Sequence, residues 1–214
     1  MNTKNFFQRE QARTDVYNLL SALFSQPEDE ILSDPNLIVS LNEPLKLLLN
    51  DSNNLAAQLK KGLEKYNETE LLVEYSRLFV GPFKTLAPPY SSVYLGDGTV
   101  MNDHTVWVLQ QYRNMAIDFN FELRDLPDHI AVENSFLYFL LFNQVQGIQE
   151  KDAEKVRYYF DAQNNFIRQH YAVWVPKFCE KGIDNTENDF YKTLFEIQAK
   201  MAGLPCSQSL PIDF

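Results

Sequence analysis

Asp128 and His129 are adjacent, and Glu133 follows His129 by four residues, about one helical turn. An imidazole beside a carboxylate is the pairing of a general base with its orienting group, and His129 with Glu133 has the spacing of a metal pair. Each chemistry lacks its remaining parts. A metal site needs three or four ligands, and no HExxH segment or second histidine at that spacing supports one. A base needs a nucleophile and a place for developing negative charge, yet no GxSxG, GxGxxG or P-loop occurs. A metal-assisted hydrolase would have to be assembled from His129, Glu133 and His104. Asp103-His104 repeats the pairing more weakly and reads as a helix start. Two other readings of Asp128-His129 stay open. Asp128 can cap a helix while His129 satisfies a polar neighbour, or the pair can contact a ligand.

The elements that must position these residues are helical nearly throughout. Phe7, Ala12, Val16, Leu20, Leu23 and Phe24 trace one face of a first helix that ends before Pro27. A second helical region spans about 35–50, interrupted by Pro44. Leu55, Leu59, Leu63 and Tyr66 mark a third. Asn67 with Glu70 has the form of a capping box opening a fourth, which carries Leu71, Leu72, Tyr75, Leu78 and Phe79. A helix over about 103–119 is expected with Val106, Leu109, Arg113 and Ile117 on one face. The next is capped by Asp125 or a neighbour, with Pro127 and Asp128-His129 in its first turn. Ile130, Phe136, Leu137, Phe139, Leu140 and Leu141 cover so much of its girth that it belongs at the bundle centre. A segment over about 151–181 is kinked or ended by Pro176, and Thr186 opens a last helix that stops at Gly203. These elements predict a single-domain all-α bundle over 1–214.

One segment breaks this pattern. Gly81-Pro82 and Pro88-Pro89-Tyr90 punctuate the long irregular stretch at about 80–102. Proline fixes φ and glycine supplies unusual values, so this loop has few conformations. Aromatic side chains on a stiff loop lying at the surface suit recognition better than reaction. The loop is also a candidate hinge for a domain-swapped dimer, against a monomer otherwise.

Composition limits the partners. The chain has 214 residues, 45% hydrophobic and 14% aromatic, enough for a real core. A net charge of −10 disfavours nucleic acid and suits either a basic peptide partner or simple solubility. Cys179 and Cys206 are far from CxxC spacing, and free thiols in a reducing compartment are expected. The N-terminal residues show no apolar h-region and no run reaches membrane-spanning length, so a cytoplasmic protein without stable membrane insertion is expected.

Three segments carry a family resemblance: EYSRLFVGP (74–82) leading into APPYSSVYL (87–95), DLPDHIAVE (125–133) with its D-H-x-x-x-E pattern, and HYAVWVPKFCEKG (170–182) followed by DFYKTLFEIQAKM (189–201). Together they resemble the TorD/DmsD/NarJ family of redox-enzyme maturation chaperones. The resemblance implies an all-helical fold without enzymatic turnover. It implies binding of the twin-arginine signal peptide, and of the apo catalytic subunit, of a molybdopterin reductase. Aid to cofactor insertion and delay of export until folding is complete are implied too, with no cofactor expected on the chaperone itself. Carried over by position, peptide contacts would be Tyr75, Leu78, Phe79, Phe83, Pro89, Tyr90, Ser92, Asp128 and His129, with Tyr17 and Leu20 from the first helix. Tyr75 and Tyr90 stand where many DmsD-like members carry Trp, which keeps an aromatic face and adds a hydroxyl. Asp128 and nearby carboxylates are expected to receive the peptide's arginines through paired hydrogen bonds. A helical adaptor for an ordinary amphipathic peptide is the alternative binding role.

Overall fold

The computed structural model describes residues 3–27, 38–50, 54–81, 85–120, 125–205 and 210. Its helices are α1 (Thr3–Leu23), α2 (Asn42–Leu49), α3 (Leu55–Lys65), α4 (Glu68–Tyr75), α5 (Ser91–Leu95), α6 (Asp103–Asn114), α7 (Ile130–Glu150), α8 (Ala153–Phe166), α9 (Ala172–Asn185) and α10 (Asp189–Ala202). Single π-helical turns, Ser76–Val80 and Ile167–Tyr171, extend α4 and join α8 to α9. The fold is all-α.

The central pair is α1 against α7. α7 is buried at Ile130, Leu137, Leu140 and Leu141, as its apolar girth predicts. It turns back into α8 through Lys151 in the left-handed region and an Asp152 side chain that accepts the Lys155 N–H. α10 lies against α9 and α3, and two glycines set those distances. A Cβ on Gly62 would sit 2.8 Å from Phe190 Cα, and one on Gly182 would meet the Phe195 ring at 2.2 Å.

Several boundaries differ from expectation for local reasons. Pro44 lies in the first turn of α2, where an N–H has no helical partner, so it starts the helix rather than interrupting it; residues 35–37 lie outside the described ones. The 103–119 helix stops at Asn114 because Ala116 turns left-handed, at φ 56°, and sends the chain back. Its buried face is Thr105, Val108 and Tyr112, while Val106 points to solvent. Asn188, not Thr186, caps α10, with its side chain accepting the Phe190 and Tyr191 N–H groups. Pro176 lies inside α9 without ending it. The break falls just before, in the π turn at Ile167–Tyr171, beside the carbonyl of Ala172 that a proline at 176 crowds. The Asn67–Glu70 capping box forms in both directions, at 3.0 and 2.9 Å.

Candidate functional site

The 87–92 segment is pinned to the start of α7 rather than spread on the surface. Ser91 N donates to the Asp128 carbonyl (3.0 Å), Ile130 N donates to the Pro89 carbonyl (2.8 Å), and Tyr90 with His129 forms an isolated antiparallel bridge. Asp128 Oδ2 accepts the Ser92 N–H at 2.9 Å. Farther back, Ala87 N donates to the Leu78 carbonyl (2.9 Å). A proline-rich stretch cannot satisfy its own backbone, and here the neighbouring segment does so. Ala87, Pro89, Ser91 and Ser92 are buried in consequence, which corrects the expectation of a surface-lying loop for 87–92, whereas 96–101 are exposed.

Asp128 and His129 exchange their expected roles. The helix starts at Ile130 with His129 as its N-cap, whose Nδ1 accepts the Ala131 N–H at 3.2 Å. Asp128 precedes the helix, is fully buried, and holds the loop; Pro127 is likewise outside the first turn. Burial lowers the His129 pKa, against smaller opposing effects of Asp125 and Asp128, in keeping with a neutral ring whose Nδ1 accepts.

Glu133 faces away from His129. Its Oε1 meets His170 Nε2 at 2.7 Å and its Oε2 accepts the Trp174 indole N–H at 2.9 Å, all three side chains being buried. Burial raises the Glu133 pKa, opposed by His170 and Trp174. The His129–Glu133 metal pair is therefore not assembled, and the described residues contain no cluster of three metal-capable side chains. The D-H-x-x-x-E pattern is three anchors in a row: one for the loop, one for a helix start, one for α9.

The first motif divides in the same way. Glu74 and Arg77 pair through two bonds, 2.7 and 2.8 Å, and clasp the α9–α10 turn: Arg77 donates to the Asn185 carbonyl (2.6 Å), while Thr186 Oγ1 and Glu187 N donate to Glu74. Phe79 is ringed by Phe24, Phe178, Tyr191 and Phe195. Leu78 and Leu20 are equally enclosed, and Tyr17 meets Tyr171 edge-on at 6.0 Å. With Pro89, Ser92 and Asp128, these residues are core or scaffold in this conformation, and Phe83 lies outside the described residues. An amphipathic stripe looks alike whether it faces a core or a groove, so the sequence left this undecided.

Solvent reaches a smaller group. Tyr90 is half-buried and its ring meets the His129 ring edge-on at 5.2 Å. Tyr75 is almost covered. Both phenol pKa values are raised, first by burial and then by Asp125, so both remain hydrogen-bond donors. The Asp125 carboxylate is 32% exposed and stands 3.8 Å from His129 Nε2. Among the described residues no lysine or arginine pairs with it. Asp125 in the sequence was one acidic residue among several; its position four before His129 was the available signal. An anionic group and an aromatic ring held on the same histidine can receive a planar cation by hydrogen bonding and stacking.

A family model described as nitrate reductase delta subunit matches residues 46–180. The TorD chaperone of Vibrio parahaemolyticus is 31% identical over 134 residues, 61% of this chain and 60% of that protein. The TorD chaperone of Vibrio atlanticus is 28% identical across 85% of this chain and 87% of its own length. A perchlorate reductase assembly chaperone from Dechloromonas aromatica is 26% identical over 93% and 90%. A candidate redox enzyme maturation protein from Archaeoglobus fulgidus shares the fold, with a TM-score of 0.57 at 20% identity over 89% of this chain and 93% of that one. The chain belongs to the nitrate reductase delta subunit family, the TorD/NarJ family whose motifs it carries.

Proposed function

We propose that this chain is a cytoplasmic maturation chaperone, not an enzyme, for a molybdopterin-containing reductase. It binds the twin-arginine signal peptide of the apo catalytic subunit as a monomeric single domain, aids cofactor insertion, and delays export until folding is complete. The observation that carries the reading is Asp125, a partly exposed carboxylate 3.8 Å from the His129 ring against which Tyr90 also packs. Near-full-length similarity to proteins named as chaperones supports it, as does a net charge of −10 that attracts a basic leader. No helix among the described residues is long and apolar enough to cross a membrane.

The test is titration of the purified chain with synthetic twin-arginine leaders of the molybdopterin reductases in its own genome. Binding at roughly micromolar strength is expected, weakened about tenfold by Asp125→Asn and by lysine in place of the two arginines, because an ammonium cannot pair bidentately. A chain that bound none of these leaders, or bound the lysine version equally well, would not have this function.

A further inference from the structure

Away from the tyrosines, a cavity of about 350 Å3 opens between α7 and the segment after α6. Its size falls in the range of sites that enclose small apolar ligands, roughly 300–1,000 Å3. Ala116, left-handed at φ 56°, folds the chain back so that Ile117 N donates to the Tyr112 carbonyl (3.0 Å), and Ile117 and Phe119 form one wall. Val132, Phe136 and Phe139 form the other, on one stripe of α7. Tyr112 closes the floor, its ring 4.6 Å from Phe136 and 6.2 Å from Phe119. Among the described residues, the one charged side chain lining the cavity is Asp118, which is exposed.

Tyr112 also joins this cavity to the pinned loop. Its hydroxyl donates to the Pro127 carbonyl at 2.7 Å, beside Asp128. Val132 lies in the first turn of α7, whose N-cap His129 stands 3.8 Å from the Asp125 carboxylate. An apolar trough thus begins about one helical turn along α7 from the His129 cap, whose ring neighbours the exposed carboxylate. Among the described residues its one charge is negative. Such a surface fits a segment that is cationic at one end and apolar immediately after, with the cations at Asp125 and the apolar side chains between α7 and Phe119.

We propose that this cavity takes the apolar run of the leader whose arginines meet Asp125, an assignment that rests on the signal-peptide reading above. Fluorescence anisotropy with a labelled leader, and with a shortened peptide ending after the arginines, tests it. Val132→Glu and Ser135→Trp alter the trough; Ser135 is exposed at its mouth, so the tryptophan variant folds even if the glutamate one does not, and thermal melts verify each. Both variants are expected to weaken the full leader about tenfold and to leave the shortened peptide unchanged. Asp125→Asn weakens both peptides. Should folded Ser135→Trp bind the full leader like the parent while Asp125→Asn still weakens it, the cavity assignment is overturned and the chaperone reading stands. Should the parent chain bind no leader, both fall. If sedimentation instead shows that Ser135→Trp breaks a dimer of this chain without changing leader binding, the occupant is a second copy and the proposal is wrong.

Discussion

Asp128 and Asp125 are three residues apart and have opposite uses. Asp128 is fully buried with its Oδ2 on the Ser92 N–H, whereas Asp125 stands partly in solvent beside the His129 ring. Replacing Asp128 by Ala strands a buried amide and is expected to cost about 1–3 kcal/mol of stability. Asp125→Ala should cost almost none while removing the arginine contact. Urea unfolding of the two variants, beside their leader titrations, separates the roles; equal stabilities would refute the anchoring role of Asp128. That division was not legible in the sequence. Aspartate and histidine both accept N–H groups at helix starts, so a one-residue difference in where α7 begins decides which side chain caps and which reaches the loop. The pattern did reveal that this is where polar groups converge.

At the level of elements, the same polar residues act as clasps between helices that the sequence describes one at a time. Glu74 and Arg77 look like an ordinary charged pair on an amphipathic turn, yet they hold the α9–α10 connection, 108 residues away for the Arg77–Asn185 bond. Burial alone would raise the Glu74 pKa; the bonds from Arg77, Thr186 and Glu187 outweigh it and hold the value below the ordinary carboxylate range. Because the folded value lies below the unfolded one, Glu74 contributes stability above the unfolded carboxylate pKa, about 4.3. That contribution fades as pH falls through the folded value. Glu74→Gln should therefore be clearly less stable than the parent at pH 7 and differ progressively less toward pH 3, as read from urea midpoints across that range. Helix periodicity, the Asn67–Glu70 box and the central placement of α7 were all readable, since each depends on local spacing. The π turns at Ser76–Val80 and Ile167–Tyr171 were not, because one extra residue per turn depends on packing partners distant in sequence.

For the whole molecule, the excess of 29 acidic over 19 basic residues bears on encounter rather than on fold. Stopped-flow mixing with a twin-arginine leader should show an association rate that drops severalfold between about 50 and 500 mM salt, with a dissociation rate that changes far less. The reverse pattern would place the electrostatics inside the contact rather than around it. The bridge between Tyr90 and His129 has a consequence for the whole bundle. The bonds that fix the loop are also the bonds that fix where α7, one of the two longest helices, begins. Holding the loop in one posture and holding the first turn of α7 in place are thus linked equilibria, and linkage is reciprocal. A partner that prefers the pinned loop must stiffen the helix start by the same free energy with which a stiffer helix start would tighten that partner. Occupancy at the rim is thereby shared with the middle of the protein through a few main-chain bonds.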